Sequence, residues 1–449
     1  MNILILNGSP KGKNSVTLQT ARYLEKRFPE HTYHVLDVAR QIKKYEKDFT
    51  EAFNSLLAAQ LIIFTYPVYT CLVPYQLHRF IELIKESDIS FKGKVATQIT
   101  TSKHFYDMTA HRFVEENCND LGLNFIRGLS ADMDDLQTTK GQEEADCFFE
   151  KVMFDIHNKI YEPLKIVPKK IGANYKAHLY PHLKKQNANI VLVTNIAEND
   201  SNLRNMIDEV KNISPFTINE INIREYPFKG GCLGCFSCTI TEKCIYKDGF
   251  DEYLRTDIQS ADAILYAFTI ENHYTHSSFK CYEDRQFCNG HRVVTHGKVT
   301  GYIISGNYKN EHNVQTIVEG RTEVSGMYLC GIATDEGDTE RNLKNFVNSL
   351  TYCMEHPMSR PQNFYGVGGA KIFRDLVYLM QGLMQADHKF YKKSGAYDFP
   401  HNKKAMMIGM KALGFMMRFD VVQKELKVKM NEYILMPYTK VIDNTKPKK

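Results

Sequence analysis

The chain has 449 residues, 43% of them hydrophobic, and 57 Lys and Arg against 52 Asp and Glu give a net charge of +5. That length supports two or three domains with full cores and needs no disulfide staples, and so mild a charge does not call for nucleic acid, although the tail from Lys371 is locally basic. No apolar run reaches the roughly 18 residues of a membrane span, and MNILILNGSPKGKNS has neither the basic flank nor the cleavage site of a signal peptide, so a cytoplasmic location with reduced thiols is expected.

The apolar run Ile3 to Leu6 has strand character and breaks into NGSPKGKNSVTLQTARYLEKRF, where Leu18, Ala21, Leu24 and Phe28 recur at helical spacing. The segment between is therefore the turn from a first parallel strand into a helix. Such a turn suits a phosphate: Gly8 and Gly12 let the backbone approach an anion, Ser9, Asn14, Ser15 and Thr17 offer hydroxyl or amide donors, and the helix N-terminus adds its dipole. An ordinary strand-to-helix connection would use the same residues without a ligand. Strand patterns follow at 33–38, 59–69, 94–101 and 123–129 with helical stretches between them, so about 150 residues form a parallel sheet covered on both faces. Ligands of such sheets bind beyond the carboxyl ends of strands. TYPVYTCLVPYQLHRFIELI lies at such an end, where Tyr66 to Pro74 either flank a flat ring or merely close a loop.

Residues 151–187 read as a helix followed by a proline-bearing, basic connector. The order then starts again: NIVLVTNIAENDSNLRNMIDEV is a strand, polar turn and helix, and FTINEINIREY, ADAILYAFTIENHYTHSSFKCYEDR, KVTGYIISGNY and GMYLCGIATDEG continue it. Inside this second half, GGCLGCFSCTITEKC sets Cys232, Cys235, Cys238 and Cys244 within fifteen residues. Thiolates are soft ligands for iron-sulfur clusters and zinc, and four of them close a site. Three cysteines at successive two-residue gaps wrap a cuboidal cluster more readily than zinc, whose cysteine pairs are usually separated by a longer loop. Gly230, Gly231 and Gly234 let the loop turn tightly and aim amides at sulfide. Reduced thiols with a structural role are the third reading. The other cysteines, Cys71, Cys118, Cys147, Cys281, Cys288, Cys330 and Cys353, are scattered and read as apolar packing. In the tail Phe373, Leu376, Leu379, Met380, Leu383 and Met384 recur at helical spacing, which suits a helix pair that caps the domains or joins subunits, and alternatively a membrane surface or a redox partner.

NGSPKGKNSVT together with YPVYTCLVPYQLHRFIE resembles the flavodoxin-like NAD(P)H-dependent FMN reductase family, and GGCLGCFSC with Cys244 and the later ATDEGD resembles its iron-sulfur flavoprotein branch. The resemblance implies an α/β chain of two tandem flavodoxin-like, doubly wound parallel sheets plus a C-terminal helical extension, divided as 1–160, a linker 161–187, 188–357 and 358–449. It implies FMN at the carboxyl edge of the first sheet, held by Ser9, Lys11, Asn14, Ser15, Val16, Thr17, Pro67, Val68, Tyr69, Thr70, Thr101 and Ser102. A 4Fe-4S cluster on Cys232, Cys235, Cys238 and Cys244 is implied likewise. Electrons would enter from NAD(P)H or a ferredoxin-like donor and leave to an unidentified small-molecule or protein acceptor. No catalytic side chain is assigned, and a homodimer is left open.

The halves depart from the family pattern in opposite directions. The first has no cysteine run between its second and third strands; the second has TNIAENDSN without the glycine and proline, and TIENHYTHSS with Thr269 and Glu271 where proline and the aromatic are expected. One flavin and one cluster per chain is the expectation, with the cluster of the second half near the FMN of the first if the halves pack as a pseudo-dimer. Alternatively, His273, Tyr274 and His276 line a second flavin or substrate site. Two other functions compete: a cluster-free NAD(P)H-dependent FMN or quinone reductase, and a non-catalytic regulatory or binding module on degenerate flavodoxin folds.

Overall fold

In the computed structural model the first apolar run is β1 (Asn2–Asn7), followed by α1 (Val16–Arg27), β2 (Thr32–Leu36), α2 (Val38–Tyr45), α3 (Thr50–Ala58), β3 (Leu61–Pro67), α4 (Tyr75–Glu86), β4 (Val95–Ser102), α5 (Asp107–Asp120), β5 (Asn124–Phe125), β6 (Leu129–Asp132) and α6 (Thr139–Asn158). The structure describes residues 1–164, 175–178, 180, 184–398 and 404–444. The strand order β2-β1-β3-β4-β5, parallel throughout and with β6 beside β4, is the doubly wound flavodoxin-like arrangement. Alternation along β1 covers both faces: Ile3 and Ile5 pack with Leu18 and Leu24 of α1 and Phe149 of α6, while Leu4 and Leu6 pack with Leu77 and Phe80 of α4. The expected strand at 123–129 is two short pieces instead. Gly128 passes so near β4 that a Cβ there would lie 2.5 Å from the Gln98 carbonyl oxygen, and the strand breaks around this close approach.

The second half runs β7 (Gln186–Thr194), α7 (Ser201–Ile213), β8 (Phe216–Asn222), α8 (Ser237–Thr241), α9 (Phe250–Tyr253), β9 (Ala263–Thr269), α10 (Ser277–Arg285), β10 (Val299–Ser305), α11 (His312–Val324), β11 (Tyr328–Thr334) and α12 (Thr339–Glu355). Its sheet, β8-β7-β9-β10-β11, has the same order and is again parallel. The connector expected at 161–187 lies in part outside the described residues, at 165–174, 179 and 181–183; beside it, Tyr180 donates from Oη to Glu209 on α7 (2.5 Å). The tail, expected as a helix pair, has four helices among its described residues: α13 (Phe364–Leu379), α14 (Gln385–Ser394), α15 (Lys404–Met416) and α16 (Asp420–Asp443). Residues 1–390 form one compact unit and residues 391–449 a second. Among the described residues no helix is long and apolar enough to cross a membrane.

Within the first unit α4 packs on α10 and α5 on α11, so equivalent helices of the two halves meet as if across a two-fold axis. One apolar core, with Leu77 and Phe80 of α4 and Phe279 and Tyr282 of α10, runs through the junction. Its polar seam is reciprocal. Asp284, near the end of α10, accepts from the Tyr75 amide at the start of α4 (2.7 Å); Glu82, near the end of α4, accepts from the Ser277 amide at the start of α10 (2.6 Å) and from its Oγ (2.6 Å). Each carboxylate caps a helix of the other half, satisfying donors that helix cannot satisfy itself. Glu82 is 3% exposed and also pairs with Arg79 (3.0 Å). Glu82→Ala is expected to destabilise the chain by about 3 kcal/mol, because the Ser277 donors and Arg79 lose a buried partner. The denaturation midpoint measures this, and an unchanged midpoint would show that the halves do not depend on the seam.

Candidate functional site

The turn between β1 and α1 is built from its own hydrogen bonds. Asn7 Oδ1 accepts from the Ser9 amide (3.3 Å), Ser9 Oγ from the Lys11 amide (3.3 Å), and Ser15 caps α1 by accepting from the Leu18 amide (3.3 Å). Gly12 sits at φ +57° against Arg40 and Asp37, where a Cβ would lie 2.9 Å from each, so this position requires glycine. Gly8 has a packing role: a Cβ there would meet Leu77 Cδ2 at 2.6 Å, so its bare backbone admits α4. The hydroxyls of Thr17 and Thr101 share a hydrogen bond of 2.6 Å, which ties the first turn of α1 to the end of β4.

Beyond β3 the chain turns tightly, with Thr70 (φ 42°) and Cys71 (φ 68°) left-handed and backbone hydrogen bonds exchanged between Tyr69 and Leu72 (2.8 and 3.0 Å). Non-glycine residues in that region are strained and need support. The second half supplies it. Lys280 of α10 donates to the Tyr69 carbonyl (2.9 Å) and to Thr70 Oγ1 (2.7 Å), and Thr70 donates to Asp284 (2.8 Å). Lys280 and Asp284 are wholly buried and paired with each other.

The cysteine loop enters the same place. Cys232, Cys235, Cys238 and Cys244 line one cleft with Ser9, Lys11, Ser15, Val16, Thr17, Pro67, Val68, Tyr69, Thr70, Thr101 and Ser102. Of the contacts read from the sequence, Asn14 alone does not line it: its side chain is exposed at the end of a single 3-10 turn. The cleft encloses about 1520 Å³ with its open mouth included, room for a mononucleotide-sized ligand and more. A Cβ on Gly234 would lie 2.2 Å from Tyr69 Oη, and Lys11 Nζ stands 5.0 Å over the Phe236 ring, so the two halves touch here directly. Gly234 is left-handed (φ 61°), and its N–H donates to the Cys232 sulfur (3.4 Å). Arg285 closes the loop at its base, donating to the Gly230 carbonyl (2.9 Å) and to both Asp248 oxygens (2.8 Å each) among the rings of Phe228, Tyr246 and Phe250. Burial alone would raise the Asp248 carboxyl, but the Arg285 bonds outweigh it and hold it down at about 2. The clasp is therefore intact at neutral pH and fades only between about pH 4 and pH 2.

Burial pushes the Cys238 thiol up to about 11, and it donates to the Phe287 carbonyl (2.8 Å). A single zinc ion with bonds of about 2.3 Å would need sulfurs about 3.8 Å apart. Among the described residues, no three cysteines bring their sulfurs within 4.8 Å of one another. Four thiols that line one cleft are a donor set able to ligate a multi-atom cluster.

The corresponding places in the second half are built differently. Its turn keeps the shape, with Glu271 and Tyr274 exchanging backbone bonds around left-handed Asn272 and His273. Its polar turn has other chemistry: Asp200 caps α7 (3.1 Å to the Leu203 amide) where Ser15 caps α1, and Asn202, two residues on, is bound to Asp335 (2.7 Å). Two carboxylates at that helix start disfavour a phosphate. His273 lies between Asp120 (3.1 Å) and Glu311 (3.2 Å), Tyr274 Oη donates to Glu283, and His276 Nδ1 accepts from the Ser278 amide (3.2 Å). All three side chains serve the junction of the halves, and none lines the cleft.

Lys280, Asp284 and Arg285 carry no sequence signal beyond an ordinary i, i+4 ion pair in SSFKCYEDR. Phe373, Leu376 and Met380, whose helical spacing suggested packing, line the cleft from the second half of α13 and its C-cap, with Phe373 stacked on Phe105 (centroids 4.3 Å apart). Cys147, expected to be packed, is exposed because α6 turns it to solvent, whereas Cys71, Cys118, Cys281, Cys288 and Cys353 are buried.

Residues 1–117 match the family described as flavodoxin-like fold. The iron-sulfur flavoprotein of Archaeoglobus fulgidus is 24% identical to this chain over 173 residues, which cover 36% of this chain and 78% of its own. An NADH:FMN oxidoreductase in its apo form is similar at a TM-score of 0.31 and 14% identity, over 34% of this chain and 89% of its own. An FMN-dependent NADH-azoreductase from Bacillus anthracis in complex with FMN is similar at 0.27 and 13%, over 35% of this chain and 99% of its own. The chain resembles flavodoxin-like proteins in its first 117 residues, and both of its sheets have the flavodoxin-like strand order.

Proposed function

We propose, from a flavodoxin-like first half whose two ligand-facing turns share one cleft with four cysteines of the second, that the chain is a flavin and iron-sulfur oxidoreductase. It passes electrons between NAD(P)H or a ferredoxin-like donor and a separate acceptor. The shared cleft is the observation that carries this reading, and the kinship with an iron-sulfur flavoprotein supports it. Bound FMN would supply exchange between hydride and single-electron chemistry, and a bound 4Fe-4S cluster a single-electron relay.

The work of the chain's own residues is positioning. Ser9, Ser15 and Thr17 present hydroxyls, and the N-terminus of α1 its amides, where a phosphate would sit. The Tyr69 to Leu72 turn, fixed by Lys280 and Asp284, offers backbone to a flat ring. Cys232, Cys235, Cys238 and Cys244 would hold the cluster as thiolates, with the Gly234 amide directed at the Cys232 sulfur. Phe373, Leu376 and Met380 add apolar lining that would limit water around the ligands. In this reading residues 1–160 hold the flavin and residues 188–357 the cluster.

A second reading, a cluster-free NAD(P)H-dependent FMN or quinone reductase, is favoured by Cys238, whose bond to the Phe287 carbonyl serves packing without a metal. Anaerobic purification with iron, sulfide and flavin counts separates the two. Roughly four iron and four sulfide for each flavin supports the proposal. Flavin alone supports the second reading, and a protein with neither overturns both in favour of a binding module.

A further inference from the structure

We propose a divalent metal site of the zinc class at the joint between the two halves, apart from the cysteine cleft, formed by Glu116 of α5, His273 of the turn after β9 and Glu311 at the start of α11. One ligand atom from each lies within 4.8 Å of the other two, and among the described residues no other three side chains do this. All three are buried, at 7%, 6% and 6% exposure. What points to a cation is Glu116. Its Oε2 is buried without a hydrogen-bond partner among the described residues, a costly state for a carboxylate oxygen, and the same carboxylate brings an oxygen to the other two potential ligands.

His273 is presented as a ligand would be. Its Nε2 faces Asp120 (3.1 Å), which pairs with Lys85 (2.6 Å), and its Nδ1 faces Glu311 (3.2 Å). A carboxylate behind one ring nitrogen fixes the tautomer and turns the other nitrogen toward a metal. Charge balances once uptake releases the proton that His273 Nδ1 holds toward Glu311: two glutamates and a neutral imidazole then neutralise a divalent ion, while Asp120 stays matched by Lys85. Imidazole with carboxylates suits zinc, and after it manganese or iron(II). Bonds of about 2.0–2.2 Å require ligand atoms within roughly 3.6 Å of one another, a separation that His273 Nδ1 and Glu311 already meet at 3.2 Å. The place matching His273 in the first half is Cys71, so the site exists on one side only. A bound ion would tie α5 of the first half to two elements of the second.

The test is Zn²⁺ and Co²⁺ binding by the full chain and by the full chain carrying Cys235→Ser and Cys238→Ser, which removes uptake by the thiol cluster. One Zn²⁺ per chain should remain in that variant, and Co²⁺ should give weak visible bands without the strong near-ultraviolet absorption of thiolate ligation. In the same background Glu116→Gln should weaken Zn²⁺ binding at least about 100-fold, and Asp120→Asn, a positioning change, about 10- to 100-fold. Uptake that disappears with the cysteines, or that Glu116→Gln leaves unchanged, overturns the proposal. Should Glu116→Gln fail to fold, the Co²⁺ spectrum of the cysteine variant decides: saturable nitrogen and oxygen ligation supports the site, and no saturable signal overturns it.

Discussion

Serine in place of Cys235 or Cys238 is expected to remove most of the iron and acid-labile sulfide while flavin stays bound. The two groups of residues lie on different halves: the cysteines sit between Gly230 and Arg285's other anchor, Asp248, whereas the hydroxyl-bearing turn leads into α1. Cys235 is exposed, so serine there disturbs no core, and at Cys238 serine can still donate to the Phe287 carbonyl. Loss of one thiolate from a four-cysteine set leaves an iron position open. Rapid mixing then distinguishes the roles. Reduction of the flavin by nicotinamide should continue, and onward transfer to a one-electron acceptor should slow by about 100-fold or more. Full iron in either variant, or unchanged one-electron turnover, would show that the cysteines are structural and that the cluster-free reductase is the better reading.

Ser9→Leu combined with Thr17→Val should weaken FMN binding by about 1000-fold, since two hydrogen bonds to a charged phosphate are worth roughly 2 kcal/mol each. Ser9 is 1% exposed and Thr17 is bonded to Thr101, so the substitutions act inside the cleft, unlike changes at exposed Asn14. The matching change in the second half, Asp200→Ala, removes a helix cap worth about 1 kcal/mol and should leave flavin content unaltered. Equilibrium titration of FMN into the apo-protein measures both. Should Asp200 govern flavin content and Ser9 not, the flavin belongs to the second half.

Much of the architecture was legible because it is written in local patterns. Apolar runs of strand length alternate with helical spacings, and their repetition after residue 187 revealed a second sheet of the same order. The polar turn before α1 and the loop after β3 were found the same way, through hydroxyls and aromatics at a strand's carboxyl end. What escaped depends on contacts between residues far apart in the chain, some 200 positions in the case of α10 and the loop after β3. Lys280 and Asp284 form an i, i+4 pair of the kind usually seen on a solvated helix face, and only the packing of α10 on α4 buries them against Thr70 and Tyr75. The close approach of Leu77 to Gly8 was hidden likewise, because two strands and three helices separate them in the chain. Phe373 was assigned to packing because spacing reports which face of a helix is apolar and not what that face covers.

The crossed helix caps of Glu82 and Asp284 bear on how the cleft comes together. In a pair of separate identical chains, every substitution appears on both sides of the axis, and dilution pulls the walls of each pocket apart. Here the sides are encoded once each, so one can carry aspartate at a helix start while the other keeps serine, and neither change is copied to its counterpart. Tethering makes the meeting of the walls a first-order event whose extent does not depend on protein concentration, a property that a two-chain version of the same surfaces would lack.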